Sequence, residues 1–214
     1  KYLKEDNIKI TIWSDVKVGT GLAASTSLVV SLINGLDKRY SIQRARRLLA
    51  QEAFELERLH LNQDGGWQDQ YSTVIGGINF MEFRSKGNLI HPIKLKPNTI
   101  RELEESLILC NTGIQHNSGN IHKDQNKNLS KENIINQVKE NKDLSYAMRE
   151  DLLQGNLTQF ANKMDHAWHL KRNFSEKISS KKLDSIYSLA KEAGALGGKL
   201  LGAGGGGFFL FFVP

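Results

Sequence analysis

A chain of 214 residues that is 39% hydrophobic and 24% charged has the composition of a globular protein with one sizeable core or two small ones. Its net charge of +6 admits an anionic partner, but the lysines are scattered and no basic stripe carries interleaved aromatics, so nucleic acid is not expected as a partner. No apolar run approaches a membrane span and no stretch has the pattern of a signal peptide, so no membrane partner is expected either.

The single cysteine, Cys110, cannot form an internal disulfide, and its place after Leu107-Ile108-Leu109 predicts a buried core residue in a reducing, cytoplasmic compartment. The chain opens on Lys1 and stops just after the apolar run Phe208 to Val213, which reads as a piece of a longer protein, truncated at both ends.

In chain order, the alternation of Ile8, Ile10 and Ile12 with polar neighbours, continued by Trp13, predicts a half-buried strand. Val18 to Leu28 follows, read as VGTGLAASTSL, and then Leu28, Leu32, Ile33 and Leu36 take the spacing of one helix face. The stretch is therefore a strand-to-helix turn. A helix start leaves backbone N–H groups unpaired and carries partial positive charge. Gly19 and Gly21 let the backbone come close to an anion, while Ser25, Thr26 and Ser27 add hydroxyls. The pattern is that of a phosphate cradle or of an ordinary tight turn with a serine-rich helix cap. It is not a P-loop, because no lysine lies between Gly19 and Asp37. Gly19, Gly21 and Ala24 formally match a dinucleotide fingerprint, but a second helical pattern follows where that motif needs a strand.

Ser41 is the expected N-cap of a long helix reaching about His60. Its apolar stripe through Leu49 and Ala53 lands next on Glu57, a carboxylate in a hydrophobic position that could serve as a metal ligand. Arg44, Arg46 and Arg47 are expected on a solvated face of this helix. The turn Gln63-Asp64-Gly65-Gly66-Trp67-Gln68-Asp69 comes next, followed by strands over Ile78 to Phe83, Leu89 to Leu95 and Ser106 to Asn111. Gln115 to Ser130, rich in Asn, Lys, His and Gly, predicts a mobile loop with weak helical content. Helices are expected over Lys131 to Gln154, Leu157 to Phe174 and Lys181 to Ala193, then a glycine loop from Gly202 to Gly207 and a strand from Phe208 to Val213. His166 and His169 lie three apart without a carboxylate or cysteine set to complete a zinc site, and Trp168 reads as packing. The element order is α+β rather than regular βαβ.

Three segments, VGTGLAASTSL, GGWQDQY and KLLGAGGGGFFLFFV, resemble in their order and spacing the second and third motifs of the GHMP kinases with the acid-bearing segment between them. GGWQDQYSTVIGGINFMEF, LILCNTGIQHNSGNIHKDQ and AWHLKRNFSEKIS further resemble the branch acting on heptose 7-phosphate, and GGWQDQ is also typical of L-fucose kinases. The resemblance implies a GHMP kinase fold with a ribosomal-protein-like N-terminal domain over residues 1–98 and a ferredoxin-like C-terminal domain over residues 99–214. It implies ATP and Mg2+ as cofactors and a sugar or sugar-phosphate substrate as the small-molecule partner, and it is compatible with a homodimer.

By position, Gly19, Thr20, Gly21, Leu22, Ala23, Ala24, Ser25 and Thr26 match the ATP-phosphate loop, Ser25 and Glu57 the Mg2+ ligands, and Asp69 the acid beside the acceptor hydroxyl. Gly65, Gly66, Trp67 and Gln68, together with Gly204, Gly205, Gly206 and Gly207, match the segments around the acceptor. Lys171 and Arg172 are candidate donors to a distal phosphate. The chain departs from the family pattern at Lys17, where proline is usual, at Ala23 and Ala24, which replace a glycine and a serine, and at His116, where relatives often carry arginine. Alanine in place of that glycine demands a backbone it tolerates poorly.

Overall fold

The computed structural model describes residues 8–16, 19–115 and 118–214, except for the side chain of Ser118; Lys17, Val18 and His116 fall outside the described residues. The chain divides into two units. One holds Ala23–Gly76 together with residues 8–16. The other holds Gly19–Leu22 and Gly77–Pro214.

The first unit is helical. Helix α1 (Ala24–Arg39), helix α2 (Arg46–Glu55), a π-helical turn (Leu56–His60) and helix α3 (Gln68–Ile75) pack around Val30, Ile33, Leu49 and Ala53. The predicted strand over Ile8 to Trp13 does not form: residues 8–14 have no regular structure, and Ile10, Ile12 and Trp13 stay exposed. An alternating pattern becomes a strand only when a neighbour completes its ladder, and the described residues pair none with it. Ser41 is not an N-cap either. Its φ of 54° places it in a left-handed turn, and α2 starts five residues later behind an extended Ala45. Arg46 and Arg47 are exposed as expected. Arg44 is not: its guanidinium donates to both carboxylate oxygens of Asp37, at 2.7 and 3.0 Å, and pairs with Glu52, tying the α1–α2 connection.

The second unit carries two small sheets. Strands β1 (Asn79–Glu82) and β2 (Leu89–Pro92) form an antiparallel hairpin. After helix α4 (Pro97–Ser106) comes β3 (Leu107–Asn111), then helices α5 (Ser118–Asn128), α6 (Glu132–Gln154), α7 (Leu157–Lys171) and α8 (Lys181–Glu192). The chain ends on β4 (Gly197–Leu200) and β5 (Phe208–Phe212), and the second sheet has the antiparallel order β3-β5-β4. One core gathers Trp168, Leu183, Tyr187, Leu200, Phe209 and Phe211; another gathers Leu103, Leu152, Leu157, Met164 and Phe212. Trp168 is packing, as its sequence position suggests, with the Phe209 ring edge-on at 5.6 Å.

Two expectations fail in this unit. The polar stretch read as a loop forms α5, because Ile121 enters the core and Asn128 donates to the Phe174 carbonyl at 3.0 Å. Tertiary contacts outweigh a composition that would not hold a helix alone. Cys110 is half-buried rather than buried, on an edge strand whose Ile108 and Leu109 are exposed. No helix among the described residues is long and apolar enough to cross a membrane.

Candidate active site

Helix α1 begins abruptly. Ala23, its N-cap residue, has φ 55° and ψ 29°, the left-handed backbone expected where alanine replaces a glycine, and no side chain caps the helix. The first intrahelical bond runs from the Ser27 N–H to the Ala23 carbonyl, so the amides of Ala24, Ser25 and Thr26 lie outside the helical ladder. The partial positive charge of a helix start is concentrated there.

Glu57 answers it. The residue sits in the π-helical turn and is 1% exposed. Extra residues wound into a helix re-aim side chains and occur frequently at functional sites. Its Oε1 accepts from Ser25 Oγ at 3.0 Å; its Oε2 accepts from Thr26 Oγ1 at 2.7 Å and from Gln70 Nε2 at 2.6 Å. No Lys, Arg or His pairs with this carboxylate among the described residues. A buried carboxylate held only by neutral donors is costly without a cation. The amide oxygen of Gln70, Oε1, is buried without a hydrogen-bond partner among the described residues.

These oxygens suit a hard ion. Mg2+ is commonly bound through one or two carboxylates plus substrate phosphates. The described residues hold no group of three or more His, Cys, Asp or Glu side chains, so an ion at Glu57 would lean on the hydroxyls and on phosphate oxygens. Ser25 and Glu57, paired from the sequence, are thus in direct contact. Gln70 is a member that sequence reading missed. Its only signal was its position next to Asp69, and a glutamine in a polar turn carries no chemical mark of its own.

Asp69 lies in the first turn of α3, half-buried, one residue before the buried Gln70. Successive helical residues point about 100° apart, so the face that meets Glu57 is not the one that carries Asp69. Of the acceptor segment, Trp67 stacks on Phe54 with ring centroids 3.4 Å apart, Gln68 and Gly66 are exposed, and Gly65 lies against the Arg58 guanidinium. The Arg58 side chain reaches the Gly66 carbonyl at 3.3 Å. Of the two histidines, His166 meets Glu140 at 2.9 Å and His169 faces Asp165 at 3.8 Å.

The second unit brings two glycine segments together. A Cβ on Gly21 would come within 2.8 Å of the Leu201 carbonyl oxygen, and one on Gly207 within 2.2 Å of the Thr20 oxygen. Both glycines have positive φ, 76° and 89°, so side chains are refused on two grounds. Residues nearly two hundred positions apart in sequence thus meet backbone to backbone. The Gly205 and Gly207 amides donate to the carbonyls of Ile178 and Ile114, both at 2.8 Å, so the third glycine segment is itself anchored to neighbouring loops.

The GHMP kinase N-terminal domain model matches residues 1–77, and the GHMP kinase C-terminal model matches residues 148–214. The chain belongs to the GHMP kinases. It is 35% identical over 202 residues to a D-glycero-alpha-D-manno-heptose 7-phosphate kinase of Campylobacter jejuni, covering 94% of this chain and 60% of that protein. It is 28% identical to the bifunctional fucokinase/GDP-fucose pyrophosphorylase of Arabidopsis thaliana, covering 99% of this chain and 20% of that protein. A solved D-glycero-D-manno-heptose 1-phosphate kinase from Bacteroides thetaiotaomicron superposes with a TM-score of 0.70 at 26% identity, over 94% of this chain and 55% of that one. The chain therefore spans little more than half the length of these heptose kinase relatives.

Proposed function

We propose that the protein of which this chain is part is an ATP-dependent sugar kinase that phosphorylates a hydroxyl of a heptose 7-phosphate. The observation that carries the reading is the buried Glu57 carboxylate, held by the neutral donors of Ser25, Thr26 and Gln70 with no Lys, Arg or His paired to it among the described residues, at the start of α1. The Campylobacter relative supports the substrate class. We assign the acceptor atom as the anomeric hydroxyl, which makes the product a 1,7-bisphosphate.

Phosphoryl transfer asks a protein mostly for positioning and charge neutralisation. Gly19, Thr20, Gly21 and Leu22, then Ala23, Ala24, Ser25 and Thr26, are the phosphate-binding run: glycine backbone, helix-start amides and hydroxyls. Ser25 and Glu57 would hold Mg2+, whose chemistry there is to neutralise the β- and γ-phosphate oxygens. Thr26 and Gln70 fix the Glu57 carboxylate so that its orientation survives ligand exchange. Asp69 orients the acceptor hydroxyl and takes its proton as the new P–O bond forms. Gly65, Gly66, Trp67 and Gln68 contact the acceptor, as do Gly204, Gly205 and Gly206.

The test is phosphate transfer from ATP by the full-length protein to heptose 7-phosphate, free heptose and L-fucose, with wild type beside Glu57→Gln. Mg2+-dependent transfer to heptose 7-phosphate that collapses in the variant is expected. Undiminished transfer by Glu57→Gln would sink the metal assignment, and transfer to L-fucose alone would replace the substrate.

A further inference from the structure

The second unit holds a cavity of about 310 Å3 whose lining comes from β1, α6, α7, β4 and the segment after β2. Its apolar wall includes Ile78, Phe80, Met148, Leu152, Phe160 and Met164. Three cations line it: Arg149 from α6, Lys171 from α7 and Lys199 from β4. No aspartate or glutamate among the described residues does. Carboxylates nearby in sequence are engaged elsewhere, since Asp165 accepts from the Tyr187 hydroxyl at 2.6 Å and meets Lys191 at 3.2 Å. Arg149 is partly spent too, lying 4.7 Å over the Phe80 ring and bonded to Glu150.

The two lysines are less satisfied. Lys199 lies two residues beyond Gly197, on the strand face that meets Ala161 and Asp165 of α7, and its ammonium group has no hydrogen-bond or ion-pair partner among the described residues. Lys171 uses one of its three N–H donors on the Gly202 carbonyl, at 2.6 Å. Burial, with the Lys199 charge added, brings the Lys171 ammonium down to about 7, and burial lowers Lys199 as well. Trp168 supplies a further donor. It is 1% exposed, lines the same cavity, and its indole N–H has no partner among the described residues. Buried donors of one sign with no acceptor to meet them are expensive unless a ligand brings the acceptors.

We propose that this cavity binds the phosphate group of a small phosphate monoester, held by Lys171, Lys199 and the Trp168 indole N–H, with the apolar wall taking part of the body attached to it. Phosphate supplies several strong acceptor oxygens and a double negative charge, which suits two ammonium groups and one neutral donor. The source of that group is either the phosphorylated acceptor or a separate phosphorylated metabolite. The proposal needs no nucleotide and no metal, so it stands or falls apart from the kinase reading.

The experiment is acetylation of lysines in the full-length protein at about pH 7.5, read by peptide mass spectrometry, with and without inorganic phosphate. Lys171 and Lys199 should label faster than surface lysines, and phosphate should slow both by about fivefold or more. Lys199→Met should remove most of the protection at Lys171, while Lys199→Arg keeps it. Equal labelling with and without phosphate in wild type overturns the proposal, as does protection at Lys171 that is undiminished in Lys199→Met. Heptose 7-phosphate protecting at about tenfold lower concentration than inorganic phosphate supports it and assigns the site to the acceptor. Equal protection by every phosphate monoester supports it and assigns a general effector site.

Discussion

The carboxylate site of the first unit and the lysine cavity of the second are opposite arrangements of charge. At Glu57 one buried negative group is wrapped by three neutral donors, and no Lys, Arg or His pairs with it among the described residues. In the cavity, three positive groups gather and no acid among the described residues lines it; only Arg149 is paired, with Glu150. A folded chain that only had to be stable would pair such groups with each other or replace them with hydrocarbon, because uncompensated buried charge costs several kcal/mol. Both places keep the imbalance. Each therefore has the electrostatic form of a binding site, one for a cation and one for an anion, and the proposed phosphoryl transfer has use for both.

The largest expected effect sharpens the first half of this contrast. Asp69→Asn keeps the shape of the α3 first turn but removes a base, and kcat should fall by about 10²–10⁴-fold with ATP affinity retained; steady-state kinetics beside calorimetric ATP binding checks both. Next comes the backbone seam between Thr20 and Gly207. Gly207→Val forces a branched side chain onto a φ of 89° and toward the Thr20 oxygen, and should cost about 3 kcal/mol or more of stability in urea unfolding. Gly66→Ala, where a Cβ would meet nothing within 4 Å, should stay within about 0.5 kcal/mol.

Glu57→Gln then tests the cation side directly. Removing the carboxylate should weaken Mg2+-dependent stabilisation about tenfold or more while leaving the metal-free protein no less stable, since the buried charge goes with it. A thermal-shift titration with Mg2+ and a non-hydrolysable ATP analogue reads the difference. A metal-free melting point that drops instead would break the contrast.

The smallest effect is on the anion side. The folded-state value for Lys171, about 7, lies below its ordinary value of 10.5. Between these two values the unfolded chain binds more protons than the folded one, so stability rises as pH goes up through that window and is flat below it. The melting temperature should climb by about 2–4 °C from pH 7 to 10, less so with saturating phosphate, and the climb should shrink in Lys171→Met.

Much of this molecule was legible in the residues. The three long helices of the second unit came within a few positions of their expected ends, because their apolar spacing and the N-cap Ser180, which accepts from the Leu183 amide, are local properties. Ala23 announced its left-handed backbone by standing in a glycine's place. Glu57 announced itself by breaking a hydrophobic stripe. What failed were features that depend on partners: the expected strand over Ile8 to Trp13 finds no neighbour to pair with among the described residues, the polar α5 is held by distant contacts, and Arg44 is drawn inward by two acids.

By itself, then, the sequence determined periodicity, breakers, and where glycine or a lone carboxylate interrupts a pattern, since these act over a few residues. Only the tertiary structure decided that Gln70 reaches Glu57, that Thr20 meets Gly207, and that Lys171 and Lys199 line one cavity without an acid. The physical reason is range. Hydrogen bonds and charges act within a few ångströms, and which groups come that close is set by how helices and strands pack, which no local window of residues contains.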